Sequence, residues 1–222
     1  MFAVLRRQSF EHRAEDVTRD PTKASSGVSG VIRPRSSEAL ELADACVRFV
    51  ATRYRVTLDF APETLSLLDQ WLRDGRAGPA DLRVRSEATE LLQSAAGAYL
   101  GEVIRRQFGG HWVIGDDVSK WRLLLSTVYC AFNPVGMARE ALLLEPAPGW
   151  HAHFELDPGE AEAVEARIAT LFPVAEEEYY APTTRYDVLT IIVDLLRDSM
   201  RRRGLDGVRF TPEDYPGCSL TN

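Results

Sequence analysis

A chain of 222 residues, 45% apolar and 27% charged, is long enough to bury a core without help from disulfides or metals. Its formal net charge of −7 argues against non-specific nucleic-acid binding, because phosphates must be met by Lys and Arg, and it favours basic proteins as partners. Cys46, Cys130 and Cys218 stand at unrelated spacings with no Cys-x-x-Cys pair, which argues against a disulfide framework and a Cys-based zinc site and predicts a reducing, cytoplasmic setting.

Met1 to Phe10 holds two arginines and few adjacent apolar residues, so no signal-peptide core is read there. The segment from Glu15 to Ser37 is rich in Ser, Thr, Gly, Pro and charge and is expected to be a linker, because it offers little apolar area to offset its ordering entropy. Residues 1–35 carry seven basic and four acidic side chains, leaving 19 and 29 for the rest. A basic flexible arm before an acidic body is expected.

From Ser37 the pattern becomes helical. Leu40, Ala43, Val47, Val50 and Tyr54 predict one apolar stripe, with Ser36 or Ser37 as N-cap. The run from Val56 to Phe60 reads as a short extended piece. Pro62 suits a first helical position, and Leu65, Leu68 and Leu72 predict a helix that continues to Gly75. A third helix is expected from about Ala80 to Phe108, stopped by Gly109-Gly110.

The period then changes. HWVIGDDV and KWRLLLSTVYCAF predict two strands of a hairpin turning at Gly115-Asp116-Asp117. Asn133-Pro134 breaks the pairing and opens a short helix, VGMAREALLL. GWHAHFEL alternates and predicts a third strand. Pro158 opens a helix through Leu171. The last helix is expected from a Thr184–Asp187 capping box, with Leu189, Ile192, Val193, Leu196 and Met200 inward and Arg201 to Arg203 at its C-terminus. Its longest apolar run, Val188 to Leu196, is interrupted by Asp194 and is short for a membrane span. The expected architecture is α+β: N-terminal helices, a small antiparallel sheet in the middle, C-terminal helices. Residues 36–210 would form one domain, with 211–222 as a tail.

Three pieces in order, LDFAPETLSLLDQWL, YLGEVIRRQFGGHW (Tyr99 to Trp112) and FNPVGMAREALL, resemble an uncharacterised family of bacterial cytosolic domains. In that family a helix bearing Gly-Glu ends at a double glycine and a tryptophan starts a strand. The resemblance implies this layout over roughly residues 56–145 and brings no established activity.

Several groups of residues invite a functional reading. Gly97 and Gly101 share a helix face that admits another backbone, either within the chain or in a self-associating adaptor. Glu102 and Arg106 form an i,i+4 pair, and Tyr99, Glu102 and Trp112 either brace the helix on the sheet or line a cleft. On a strand, His151, His153 and Glu155 share a face, which suits metal ligation or simply a wet surface. Glu176, Glu177 and Glu178 beside Tyr179 and Tyr180 read as a patch for a basic protein or as a solvated element end. Cys46 and Cys130 read as inert core thiols. No Gly-x-Ser-x-Gly elbow or Walker loop occurs, and neither a cofactor nor a catalytic residue is expected.

The leading expectation is a non-catalytic cytoplasmic protein-binding domain with no nucleic-acid or membrane partner, an immunity or antitoxin-type protein being one version. The alternatives are an enzyme or a metal- or small-ligand-binding protein using Glu102 or the His151–His153–Glu155 face, and a self-associating adaptor.

Overall fold

The computed structural model describes residues 36–77, 86–170 and 174–216. Helix α1 spans Ser36–Tyr54, so Ser37 lies inside its first turn and the N-cap position falls outside the described residues. Its buried stripe is Ala39, Ala43, Cys46 and Val50, whereas Leu40 is 40% exposed. Ala43 and Val50 of the predicted stripe are buried, while Ala39 and Cys46 take the inward places expected of Leu40 and Val47. The smaller side chains face inward because α1 lies along α3, Ser86–Phe108, and small residues allow close helix packing.

Val56 to Phe60 joins no strand, and of these five only Leu58 is buried. Arg55 and Phe60 turn the chain at positive φ, 58° and 65°. Pro62 opens a 3-10 turn, Pro62–Thr64, that runs into α2, Leu65–Ala77. This helix passes through Gly75 instead of stopping there. A Cβ at Gly75 would lie 2.6 Å from Leu92 Cδ2, so the glycine serves a close approach.

The middle of α3 is buried all round, from Gln93 to Ile104, as befits a helix at the centre of a core. Its glycine face is covered by the chain itself. A Cβ at Gly97 would overlap the backbone of Pro134 and Val135, and one at Gly101 would overlap the Trp112 ring. The self-association reading of this face is therefore corrected. Gly109 ends the helix in a left-handed conformation, φ 75°, with its N–H donating to Arg105 O at 2.9 Å.

Four strands follow in a meander: β1, Gly110–Val113; β2, Arg122–Leu125; β3, Cys130–Phe132; and β4, Glu155–Leu156. They pair in sequence order, all antiparallel. The β1–β2 hairpin is as expected, and its connection includes a 3-10 turn, Val118–Lys120, capped by Asp117. The run KWRLLLSTVYCAF is two strands, not one. Leu123, Leu124 and Leu125 are all buried because both faces of the sheet are covered, so no alternation marks the break.

One face packs on α3; against α3 in turn lies α4, Pro134–Leu143, which Asn133 caps by accepting the N–H groups of Val135 and Gly136. The other face, Leu124 and Ala131, is covered by Phe210 and Tyr215, which bracket a 3-10 turn, Pro212–Asp214. Tyr215 Oη donates to Leu125 O at 2.7 Å and accepts from Cys130 N–H at 3.1 Å. Its ring stacks on Tyr129 at 4.5 Å. The packed body thus extends past residue 210 to Tyr215. Substituting Tyr215→Phe leaves both backbone groups short of a partner in a dry site. It is expected to cost about 1–3 kcal/mol, read as a lower urea midpoint with an unchanged m-value.

The remaining helices are α5, Pro158–Ile168, capped by Asp157; α6, Glu176–Tyr179; and α7, Pro182–Arg202. Helix α7 starts before the predicted Thr184 cap, at Ala181, which provides no side-chain cap. Asp69 of α2 takes that role from 114 residues away, accepting Thr183 N–H at 3.2 Å and Thr183 Oγ1 at 2.5 Å. An acidic group at a helix N-terminus also suits the dipole. Among the described residues no helix is long and apolar enough to cross a membrane.

Candidate functional site

Glu102 and Trp112 come together as a buried brace, and Tyr99, also buried, engages the turn before α2 instead. Glu102 takes Arg105 through Nε at 2.8 Å and Nη2 at 2.9 Å, and Trp112 Nε1 at 2.9 Å. The predicted partner, Arg106, stands 3.7 Å away, with its guanidinium over the Phe60 ring. Burial works against charge on Glu102, but the hydrogen bonds from Arg105 and Trp112 hold its carboxyl below the ordinary range. Tyr99 Oη accepts Phe60 N–H at 3.0 Å and meets Thr64 Oγ1 at 2.6 Å. The cleft reading of these three is corrected: their polar atoms tie α3 to β1 and to the turn before α2.

His151, His153 and Glu155 also come together, by a route other than strand alternation. His151 has φ 51°, and only Glu155 and Leu156 of the predicted strand pair. His151 Nδ1 lies 2.6 Å from Glu155 Oε1, while His153 Nε2 and Arg122 Nε each lie 3.9 Å from it. Among the described residues no group of three or more His, Cys, Asp or Glu side chains is arranged to hold a metal ion, so the metal reading is corrected. The glutamate is hydrogen-bonded to His151, while His153 stands beyond hydrogen-bond reach of it.

This cluster sets a pH dependence. Burial lowers the pKa of His153 from 6.5, against the pull of Glu155. Burial opposes charge on Glu155, yet the His151 hydrogen bond and the Arg122 charge hold its pKa below 4.5. In both cases the unfolded chain binds more protons, so stability rises with pH. The His153 contribution is complete above 6.5 and lost as pH falls through its folded pKa; that of Glu155 is complete above 4.5 and lost below it. Urea midpoints are expected to drop as pH falls below 6.5, and His153→Gln is expected to flatten the upper part of that slope. An unchanged slope in the variant would assign it to other groups.

The Glu-Tyr segment divides. Glu177 and Glu178 are exposed, and Glu176 opens α6. Tyr179 and Tyr180 are buried, which corrects their reading as surface contacts. They enclose Arg185 of α7, whose guanidinium lies 4.0 Å from the Tyr179 ring centre and 5.7 Å from that of Tyr180. Arg185 Nη1 donates to Tyr179 Oη at 2.9 Å, and Nη2 pairs with Glu140 of α4. Glu140 Oε1 also accepts Ala147 N–H at 3.0 Å. Sequence reasoning did not single out this buried pair. The available signal was Glu140 itself, a carboxylate inside the apolar run of α4.

An open cavity of about 90 Å³ lies between β4, α5 and α7. Its apolar wall includes Leu156, Val164, Ile168, Val188 and Ile192, and its polar lining is His153, Glu165 and Tyr179. It therefore joins one residue of the histidine cluster to one of the Glu-Tyr segment. Pockets for cofactor-sized molecules run to about 300–1,000 Å³, so this one suits a group of a few carbons. One exposed carboxylate, Glu165, belongs to the lining. A second depression, about 240 Å³, holds Arg197, Arg201 and Arg209 with Asp206. Arg201 is paired with Asp198 at 2.7 Å, and the depression abuts the C-terminal end of α7, where the dipole disfavours anions.

Compared with known proteins, the chain matches no protein-family model, no curated protein and no solved structure, so the functional reading rests on geometry.

Proposed function

We propose that the chain is a non-catalytic cytoplasmic domain that recognises a basic protein, an immunity or antitoxin-type module being one form this takes. The observation that carries the reading is the exposure of Glu162 and Glu165 on α5 and of Glu177 and Glu178 on α6, on a body with 19 basic and 29 acidic side chains. Such exposed charge steers cationic partners and discriminates against acidic ones.

Two features support a binding role over a catalytic one. The buried carboxylates Asp69, Glu102 and Glu140 are each engaged in holding elements together. Cys46 and Cys130 are free and buried, and burial pushes both thiols well above their ordinary pKa, which leaves little thiolate for nucleophilic attack. Free thiols in the core also accord with a reducing compartment.

The test is capture from a lysate of the source cells at low and high salt, with the wild-type chain and a Glu162→Gln/Glu165→Gln/Glu177→Gln/Glu178→Gln variant. One basic protein, retained at low salt and lost with either change, is expected. A partner indifferent to salt and to the variant, or no partner, would overturn the reading.

A further inference from the structure

Carboxylates on a surface steer a partner but hold it weakly, since exposed ion pairs contribute little and are screened by salt. Lasting contacts depend on a desolvated apolar anchor surrounded by polar groups. The cavity between β4, α5 and α7 has that composition. Val164 and Ile192 line an apolar interior, while Glu165 and His153 stand among its lining residues. Its volume of about 90 Å³ matches one side chain and is too small for a cofactor. Glu165 is the exposed carboxylate of the lining, on a body with 19 basic and 29 acidic side chains, and this charge favours a cationic neighbour beside the anchor.

We infer that this cavity is the docking pocket for a single apolar side chain, of leucine to phenylalanine size, presented by a basic partner segment with Lys or Arg on either side of it. The inference rests on the proposed recognition of a basic protein and adds the pocket and the form of the segment. A cationic neighbour reaches the Glu165 carboxylate while the anchor displaces water from the apolar wall. Tyr179 belongs to that wall and is fixed from behind by its hydrogen bond from Arg185 at 2.9 Å, so the pocket is formed before the partner arrives, which lowers the cost of binding.

Selection of a random peptide display library on the full chain tests this. The variant Ala161→Phe, at a partly exposed position of α5 in the cavity lining, fills the pocket and leaves every carboxylate in place; Ala161→Met serves if the larger ring disturbs folding, as judged by urea midpoint. Selected peptides are expected to share one apolar residue flanked by Lys or Arg. Filling the cavity, or replacing that residue by serine in the peptide, is expected to weaken binding about tenfold or more. Amide shifts on binding are expected at residues 161–168. Peptides that are basic but lack an apolar anchor, or that bind the filled variant equally well, would sink the pocket while leaving the acidic recognition surface standing. Enrichment of apolar peptides without basic residues, or no enrichment at all, would overturn both.

Discussion

Replacing Glu140 by alanine is expected to destabilise the chain by about 3–5 kcal/mol, because it leaves Arg185 as a buried charge without its counter-ion. Both side chains are 3% exposed. Arg185 has no easy alternative: its Nε already has no hydrogen-bond partner among the described residues, and Nη1 is committed to Tyr179. Alanine at 140 also removes the acceptor for Ala147 N–H, a smaller loss of the same kind. The double variant Glu140→Leu/Arg185→Leu is expected to recover much of the loss, since apolar residues often replace a buried pair at little cost. Urea unfolding of the two single variants and the double one gives the comparison. A single-variant loss below about 1 kcal/mol would show that water reaches the pair and screens it. The pair also bears on recognition. Arg185 holds Tyr179 in the cavity wall, so Glu140→Ala is expected to loosen the proposed pocket as well as the fold.

Gly97→Ala is expected to cost about 3 kcal/mol, the upper end of what overpacking a core costs. In an open helix the same change would gain roughly 1 kcal/mol from propensity. Here the new methyl would meet the Val135 Cα, the Val135 nitrogen and the Pro134 carbonyl oxygen. These are backbone atoms at the start of α4, held in turn by the Asn133 cap, so no rotamer change relieves the overlap. Gly101→Ala is a useful contrast. Its methyl would meet the Trp112 ring and the Pro134 side chain, and a ring has more freedom to tilt than a capped helix start has to move. Thermal unfolding of both variants is expected to rank Gly97→Ala as the more damaging. A stabilised Gly97→Ala would mean that α3 and α4 separate more easily than their packing implies.

Both predictions concern contacts of very different legibility. The glycines were visible in the sequence as an anomaly, because a helix interior disfavours glycine. What approaches them is not visible there: the start of α4 meets Gly97, and the Trp112 ring of β1 with the Pro134 side chain meets Gly101. Glu140 and Arg185 stand 45 residues apart, and nothing local in either helix points to the other. The histidine set shows the opposite case. Its three members were read as neighbours on a strand, and they are neighbours, yet through a left-handed His151 and a hydrogen bond to Glu155. The short reach of the segment kept them together even though the strand assignment held only for its last two residues. In sequence the run from Glu176 to Tyr180 reads equally as a patch for a basic partner or as a solvated element end. The helix turns its tyrosines inward onto Arg185 and leaves Glu177 and Glu178 outward, a division that composition does not encode.

Local forces account for the α+β order of elements, the proline entry to the turn before α2, the asparagine start of α4, the glycine stop of α3, the first hairpin and the inert character of Cys46 and Cys130. Each follows from periodicity, capping or backbone freedom within a few residues, and such forces act whatever the rest of the chain does. Long-range packing sets which face of α1 is buried, where the long apolar run folds into two strands, that Asp69 caps α7 and that a cavity opens beside His153. Those outcomes depend on groups tens of residues apart competing for the same dry space. There a buried polar atom must find a partner, and an apolar one must be covered, by whatever the packing brings near.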